Sequence, residues 1–317
     1  MRIRPLKAAA HTLTALALAA FATTSLASGA QAQAAPTAAH YGAKPLHHVG
    51  QAGQLTPAAR STNTLKVGSS ASQGVVSPTP KVYLVFWGSQ WSSDPAGVAA
   101  DMQSMFKGLY GSADTWGTIL DQYCEGVAKG TITCGTKGIH VNHPTSTPLA
   151  GVWFDNAGAS PTNAAAADIA TEATKAAGHF GNTTQASNLN SQYVVVSPTG
   201  THPDGFPSSG FCAWHDFTTS ASYGKLAYTN LPYIPDSGAG ACTTFTDGRM
   251  LSGIESTETH EYAETVTDTW PSIGWNGGGG EIGDACVQLD AYVKLTTGTF
   301  DLQGLWSNAA NNCVTHG

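Results

Sequence analysis

Thr259-His260-Glu261-Tyr262-Ala263-Glu264 is an H-E-x-x-E sequence. Residues four apart share one face of a helix, so His260 and Glu264 could hold one metal ion between them. Glu261, about 100° further round the helix, would flank a water molecule there and take its proton. This is the layout of H-E-x-x-H metallopeptidases, with Glu replacing the second His. The surrounding chain is acidic: five of the seven glutamates (Glu255, Glu258, Glu261, Glu264 and Glu281) fall within 27 residues. A charged face on a surface helix is the plain alternative.

A third ligand is expected in Gly277-Gly-Gly-Gly280-Glu281-Ile-Gly-Asp284-Ala-Cys286. Four glycines free the backbone to approach a ligand closely. Glu281 and Asp284 follow Glu264 by 17 and 20 positions. Asp284 is the favoured ligand and Glu281 the alternative; whichever does not bind metal would orient His260. A flexible surface turn is the competing reading of this loop. One His and two carboxylates would cancel the charge of Zn²⁺, leaving a bound water less acidic than at a His-rich site. The oxygen-rich set also admits Ca²⁺, which would make the site structural.

Phe211-Cys212-Ala-Trp214-His215-Asp216 is a second candidate. His215 would be a ligand, a catalytic stabiliser of an oxyanion, or a partly buried structural histidine. His140, His143, His179, His202 and His316 show no partner pattern and read as surface residues. No G-x-S-x-G occurs, which removes the usual serine-hydrolase elbow. The acids could also supply a glycosidase pair, but sequence does not fix their separation.

These groups must be positioned by a fold, and the chain from Lys81 onward alternates strands with helices. Lys81–Trp87 and Tyr193–Ser197 read as buried strands, Gly151–Phe154 and Leu226–Tyr228 as short ones. Helices are expected from Asp94-Pro95 to about Tyr110, over Trp116–Tyr123, from Pro161 to His179, and from Leu251 to Val266. The last would end before Trp270-Pro271. Beyond Gly274 a Gly-rich loop and short strands follow. This order fits an α/β or α+β single domain over 81–317, with a mixed sheet, flanking helices and a zincin-like active-site helix.

Residues 1–34 read as a secretory signal: Arg2, Arg4 and Lys7, an apolar Thr12–Ala22, then small-x-small sites up to Ala34. Residues 35–80 read as a linker or propeptide. Its His40, His47 and His48 would sit either on a flexible surface segment or in a pro-segment capping an active site. Six cysteines in an exported chain point to three disulfides, and nearest-neighbour pairing gives 124–134, 212–242 and 286–313.

The 317 residues carry only 11% charged residues and a net charge of −7. Six of the 14 bases precede Lys81 and no acid precedes Asp94, so the stretch from Lys81 carries 21 acids against 8 bases. A basic nucleic-acid surface and anionic substrates are thereby disfavoured. No run past residue 30 is long and apolar enough for a membrane span.

The blocks FCAWH (Phe211–His215) and THEYAETVTDTWP…GWNGGGGEIGDAC (Thr259–Cys286), with Phe86-Trp87-Gly88, resemble the phosphate-induced, exordium-like secreted proteins and their bacterial relatives. The resemblance spans roughly 80–317. It implies an extracellular protein in which His260, Glu261, Glu264, Glu281 and Asp284 form a common site with a zincin look.

The expected function is a secreted, zinc-dependent hydrolase acting on protein or peptide substrates. His260, Glu264 and Asp284 (or Glu281) would hold the metal, with Glu261 as general base. The alternative is a non-catalytic extracellular module binding cell-wall glycan or a partner protein through Trp91, Trp116, Trp270, Trp275 and Trp306, or a scaffold stabilised by Ca²⁺.

Overall fold

The computed structural model describes residues 41–45, 63–142 and 146–317. The signal read at 1–34, much of the 35–80 stretch with His40, His47 and His48, and His143 lie outside the described residues.

The strands in chain order are β1 (Tyr41–Pro45), β2 (Lys66–Val67), β3 (Lys81–Trp87), β4 (Cys124–Glu125), β5 (Ile139–His140), β6 (Leu149–Asp155) and β7 (Ser191–Val196). They continue with β8 (Phe211–Ser220), β9 (Gly224–Leu231), β10 (Trp275–Asn276), β11 (Asp290–Leu295), β12 (Gly298–Gln303), β13 (Leu305–Ser307) and β14 (Asn312–Val314). The helices are α1 (Val98–Gly108), α2 (Ala166–His179), the short α3 (Gln185–Asn188) and α4 (Ser252–Thr267).

One six-stranded sheet runs β1-β8-β9-β7-β3-β6. Its β6, β3, β7 and β9 are parallel, while β8 and β1 add antiparallel at one edge. The mixed α/β architecture expected from the sequence is therefore present. The near-continuous apolar runs of β3 and β7 suit strands covered on both faces. From β3 the chain crosses by α1 to β6 on one side, then by α2 back past β3 to β7. Crossovers of one hand in opposite directions place their helices on opposite faces.

Side-chain alternation fixes which face carries what. Gln192 of β7 donates to Thr229 of β9 at 2.6 Å, and Thr229 pairs with His215 of β8. His215 meets Glu261 of α4, so this is the α4 face. The neighbouring Tyr193 points the other way and stacks on Tyr83, which packs on Phe180 at the end of α2. α1 joins α4 on its face, where the Phe106 and Tyr262 rings lie 5.5 Å apart and Tyr262 donates to the Tyr110 hydroxyl at 2.7 Å. The β11–β12 hairpin closes over α4 through the Asp301 amide, which donates to Glu255 at 2.7 Å.

Several boundaries differ from expectation for local reasons. α1 begins at Val98, yet Asp94 still caps it by accepting from the amides of Gly97, Val98 and Ala99. α2 begins at Ala166, not Pro161, because the carbonyls of Thr162 and Ala164 are taken by the amides of His202 and Asp204. Trp116–Tyr123 is a 3₁₀ turn over Gly117–Gln122, its start held by Asp114 accepting from Trp116 and Gly117. Residues 63–80 pack into the body, with Leu65, Val67, Val75 and Val76 buried.

All three disulfides, Cys124–Cys134, Cys212–Cys242 and Cys286–Cys313, follow the nearest-neighbour pairing. Among the described residues no helix is long and apolar enough to cross a membrane. Disulfides of this density suit an oxidising, extracellular compartment.

Candidate metal centre

α4 is buried along its whole length, although four of its 16 residues are glutamates. His260 and Glu264 meet as their i, i+4 spacing requires, with Nε2 to Oε2 at 3.2 Å. Asp284 joins them, its Oδ1 3.9 Å from His260 Nε2. Tetrahedral Zn²⁺ with bonds of about 2.0–2.2 Å separates neighbouring ligand atoms by about 3.3 Å. The His260–Glu264 spacing lies near that value and the His260–Asp284 spacing is wider, with the three candidate atoms within 4.8 Å of one another.

The loop that brings Asp284 is built for close approach. The amides of Gly283 and Asp284 donate to Glu264 Oε1 at 3.2 and 3.1 Å. A Cβ on Gly283 would stand 2.5 Å from His260 Nδ1, so no larger residue fits there. Cys286, bonded to Cys313, anchors the loop two residues on. Asp268 shapes the exit from α4 by accepting from Ser272, Ile273 and Gly274.

Gln303 of β12 orients the histidine. Its Oε1 lies 3.1 Å from His260 Nδ1, and its Nε2 donates to the Gly283 carbonyl at 2.8 Å. Since Nε2 of the amide is the donor, Oε1 accepts, and His260 carries its proton on Nδ1. His260 Nε2 is then a lone pair aimed at Glu264 and Asp284. Nothing in the H-E-x-x-E pattern points to a glutamine 43 positions away.

His215 enters from β8. Its Nδ1 lies 3.2 Å from Glu261 Oε2 and 3.5 Å from Glu264 Oε2, and its Nε2 lies 3.7 Å from Glu281 Oε1. His215, Glu261 and Glu264 form a second group of metal-ligating type that shares Glu264 with the first. All six residues singled out in the sequence thus converge. Asp284 lies beside His260, while Glu281 faces His215.

The electrostatics are those of a buried carboxylate cluster. His260 Nε2, Glu264 Oε2 and Glu281 Oε1 are buried with no hydrogen-bond partner among the described residues. Burial pushes Glu264 up to about 8, and burial with the nearby Glu264 pushes Asp284 up to about 7. Glu261 and Glu281 are driven well above the carboxylate range by burial first and Glu264 second. Burial lowers His260 to about 4. A buried carboxylate cluster is costly unless paired or ligated, and a divalent ion would supply the missing partner. The His and carboxylate donors therefore fit a metal ion; donor chemistry alone does not select Zn²⁺ over Ca²⁺.

Four of the five tryptophans considered for glycan binding, Trp91, Trp116, Trp275 and Trp306, are core residues. Lys225 lies over the ring of the half-buried Trp270. Those four tryptophans therefore present no exposed ring to a glycan. No protein-family model, curated protein or solved structure matches the chain.

Proposed function

We propose that this α/β protein is a secreted, metal-dependent hydrolase of the zincin type, acting on peptide bonds. One observation carries the reading: His260 Nε2 and Glu264 Oε2 converge at 3.2 Å beside Asp284, while Glu261 on the same helix reaches the adjoining His215. The metal, Zn²⁺ in this proposal, would be held by His260, Glu264 and Asp284, and when bound it supplies Lewis acidity toward a carbonyl and toward water. Glu261 accepts a proton from the attacking water and returns it to the departing amine nitrogen. His215 Nδ1 shares a hydrogen bond with Glu261 Oε2 and holds that carboxyl group beside the site. Gln303 keeps His260 in the tautomer that presents Nε2.

The kinship with phosphate-induced, exordium-like proteins belongs to the same proposal. Its support is spatial: His215 of the first shared block meets Glu261 and Glu264 of the second. Export is supported by three disulfides.

The closure of the site favours a second reading, a structural metal. His215, His260, Glu261 and Glu264 are fully buried, and Asp284 retains only 25% side-chain exposure. Replacing Glu261 with Gln separates the readings. The hydrolase reading expects metal retained and casein hydrolysis reduced at least about 100-fold. Unchanged hydrolysis, or none in metal-loaded wild type, would leave the structural reading.

A further inference from the structure

The group lying against Glu261 belongs to the chain itself. β1 adds antiparallel to the β8 edge, with Tyr41 opposite His215, Lys44 opposite Ala213 and Pro45 opposite Phe211. The Lys44 amide donates to Glu261 Oε1 at 3.2 Å. The Lys44 side chain is completely buried, an unusual place for a lysine unless it is paired. Its ammonium donates to Ser256 Oγ at 2.5 Å, and that hydroxyl donates in turn to Asp290 Oδ1 at 2.5 Å. The acidic groups facing it are Asp290, Asp301, Glu261 and Glu264. Asp301 is held at Oδ2 by Thr243, while its buried Oδ1 has no hydrogen-bond partner among the described residues. The pocket thus has spare acceptor capacity and matches a cationic side chain.

The register adds a chemical meaning. The atom touching Glu261 is the nitrogen of the Ala43–Lys44 peptide bond. A general base that returns a proton to a departing amine must reach that nitrogen. An added strand also supplies main-chain affinity at a sheet edge, while a side-chain pocket sets selectivity.

We propose that residues 41–45 occupy the substrate strand of this site, and that it accepts extended peptides whose residue following the scissile bond is lysine or arginine, held by Ser256, Asp290 and Asp301. This rests on the peptidase reading of the metal centre. In the reaction water adds across the C–N bond: its hydroxyl goes to the carbonyl carbon, and its proton passes through Glu261 to the nitrogen of the basic residue. A carboxylate and an amine result, with no other reactant. β1 competes with an added peptide for this strand position, because its own lysine fills the pocket.

Binding tests this without requiring turnover. Full-length Lys44→Met keeps the aliphatic stem but frees the acids. A labelled peptide Tyr-Gly-Ala-Lys-Pro should bind this variant at least about tenfold more tightly than the same peptide with Met for Lys, a difference of about 1.4 kcal/mol. Adding Asp290→Asn should abolish the difference. Equal binding of the two peptides, or binding of neither, would overturn the proposal. If Lys44→Met does not fold, Asp290→Asn in the otherwise unaltered chain tests the same pocket: the buried Lys44 ammonium should then become reactive toward an acetylating reagent, read by mass spectrometry, and unchanged protection would count against it. Selective binding without any hydrolysis would sink the peptidase reading and leave the strand site standing. Hydrolysis indifferent to a basic residue after the cut would do the reverse.

Discussion

α2 and α4 pack on opposite faces of one sheet, and their sequences follow opposite rules. α2 buries Ile169, Ala173, Ala176 and Ala177 along one stripe and turns most of its polar residues outward. That is an ordinary amphipathic helix, held by apolar burial. α4 is buried on all sides and has almost no apolar stripe; Ile254, Tyr262, Ala263 and Val266 are its main hydrophobic residues. Glu258 illustrates the cost, with neither oxygen partnered among the described residues and burial pushing it well above the carboxylate range. Local rules of this kind are broken mainly where function demands it. α2 is placed by packing, and α4 is placed for the groups it carries.

The largest break in that contrast should come from removing metal. A ligand present at about 1,000 times its Kd stabilises the folded state by about 4 kcal/mol. Chelation should therefore lower the melting temperature of the wild type and leave that of Glu264→Ala unmoved. A chelator-insensitive wild type would put α4 on the same footing as α2. Next, Ile169→Ala should cost about 2–4 kcal/mol through a cavity, with metal affinity unchanged. Altered metal affinity in that variant would show that the two faces are coupled.

The Gln303→Ala change sharpens the role of the groups behind α4. It should weaken metal binding about 10–100-fold by releasing the His260 tautomer, measured by competition with a chromophoric chelator. No change would mean that Gln303 only packs.

The smallest effect falls on α2. Glu172 is pushed up to about 7, by burial first and by nearby Asp155 second, with Lys175 opposing at 3.5 Å. Its folded value lies above the unfolded one. The stability it confers is thus full below about pH 4.5 and lost as pH rises through about 7. Wild type should lose about 1 kcal/mol relative to Glu172→Gln between pH 5 and 8.5, solvent and Lys175 screening the rest. Thermal melts across that range would show a pH-independent difference if the reading is wrong.

Much of this contrast was legible in the residues. β3 and β7 announced themselves as uninterrupted apolar runs, and α4 as a chain of glutamates at helical spacing around His260. Nearest-neighbour pairing sufficed for the disulfides because each closes a local loop of 10 to 30 residues. Features set by distant partners were not legible. β8 begins apolar but ends Asp-Phe-Thr-Thr-Ser, which blurs a strand signal that pairing with β9 supplies. The late start of α2 depends on carbonyls claimed by residues about 40 positions away. Gln303, Ser256 and Lys44 carry no motif, and their roles exist only because β12 and β1 close around α4.

The central claim is that α4 and the Gly283–Asp284 turn form a metal site. The most direct measurement is the metal content of the purified protein by mass spectrometry after zinc loading and desalting, alongside Glu264→Ala. The account predicts bound zinc in the wild type and near-complete loss in the variant. Wild type that retains none, or a variant that retains as much, would contradict it.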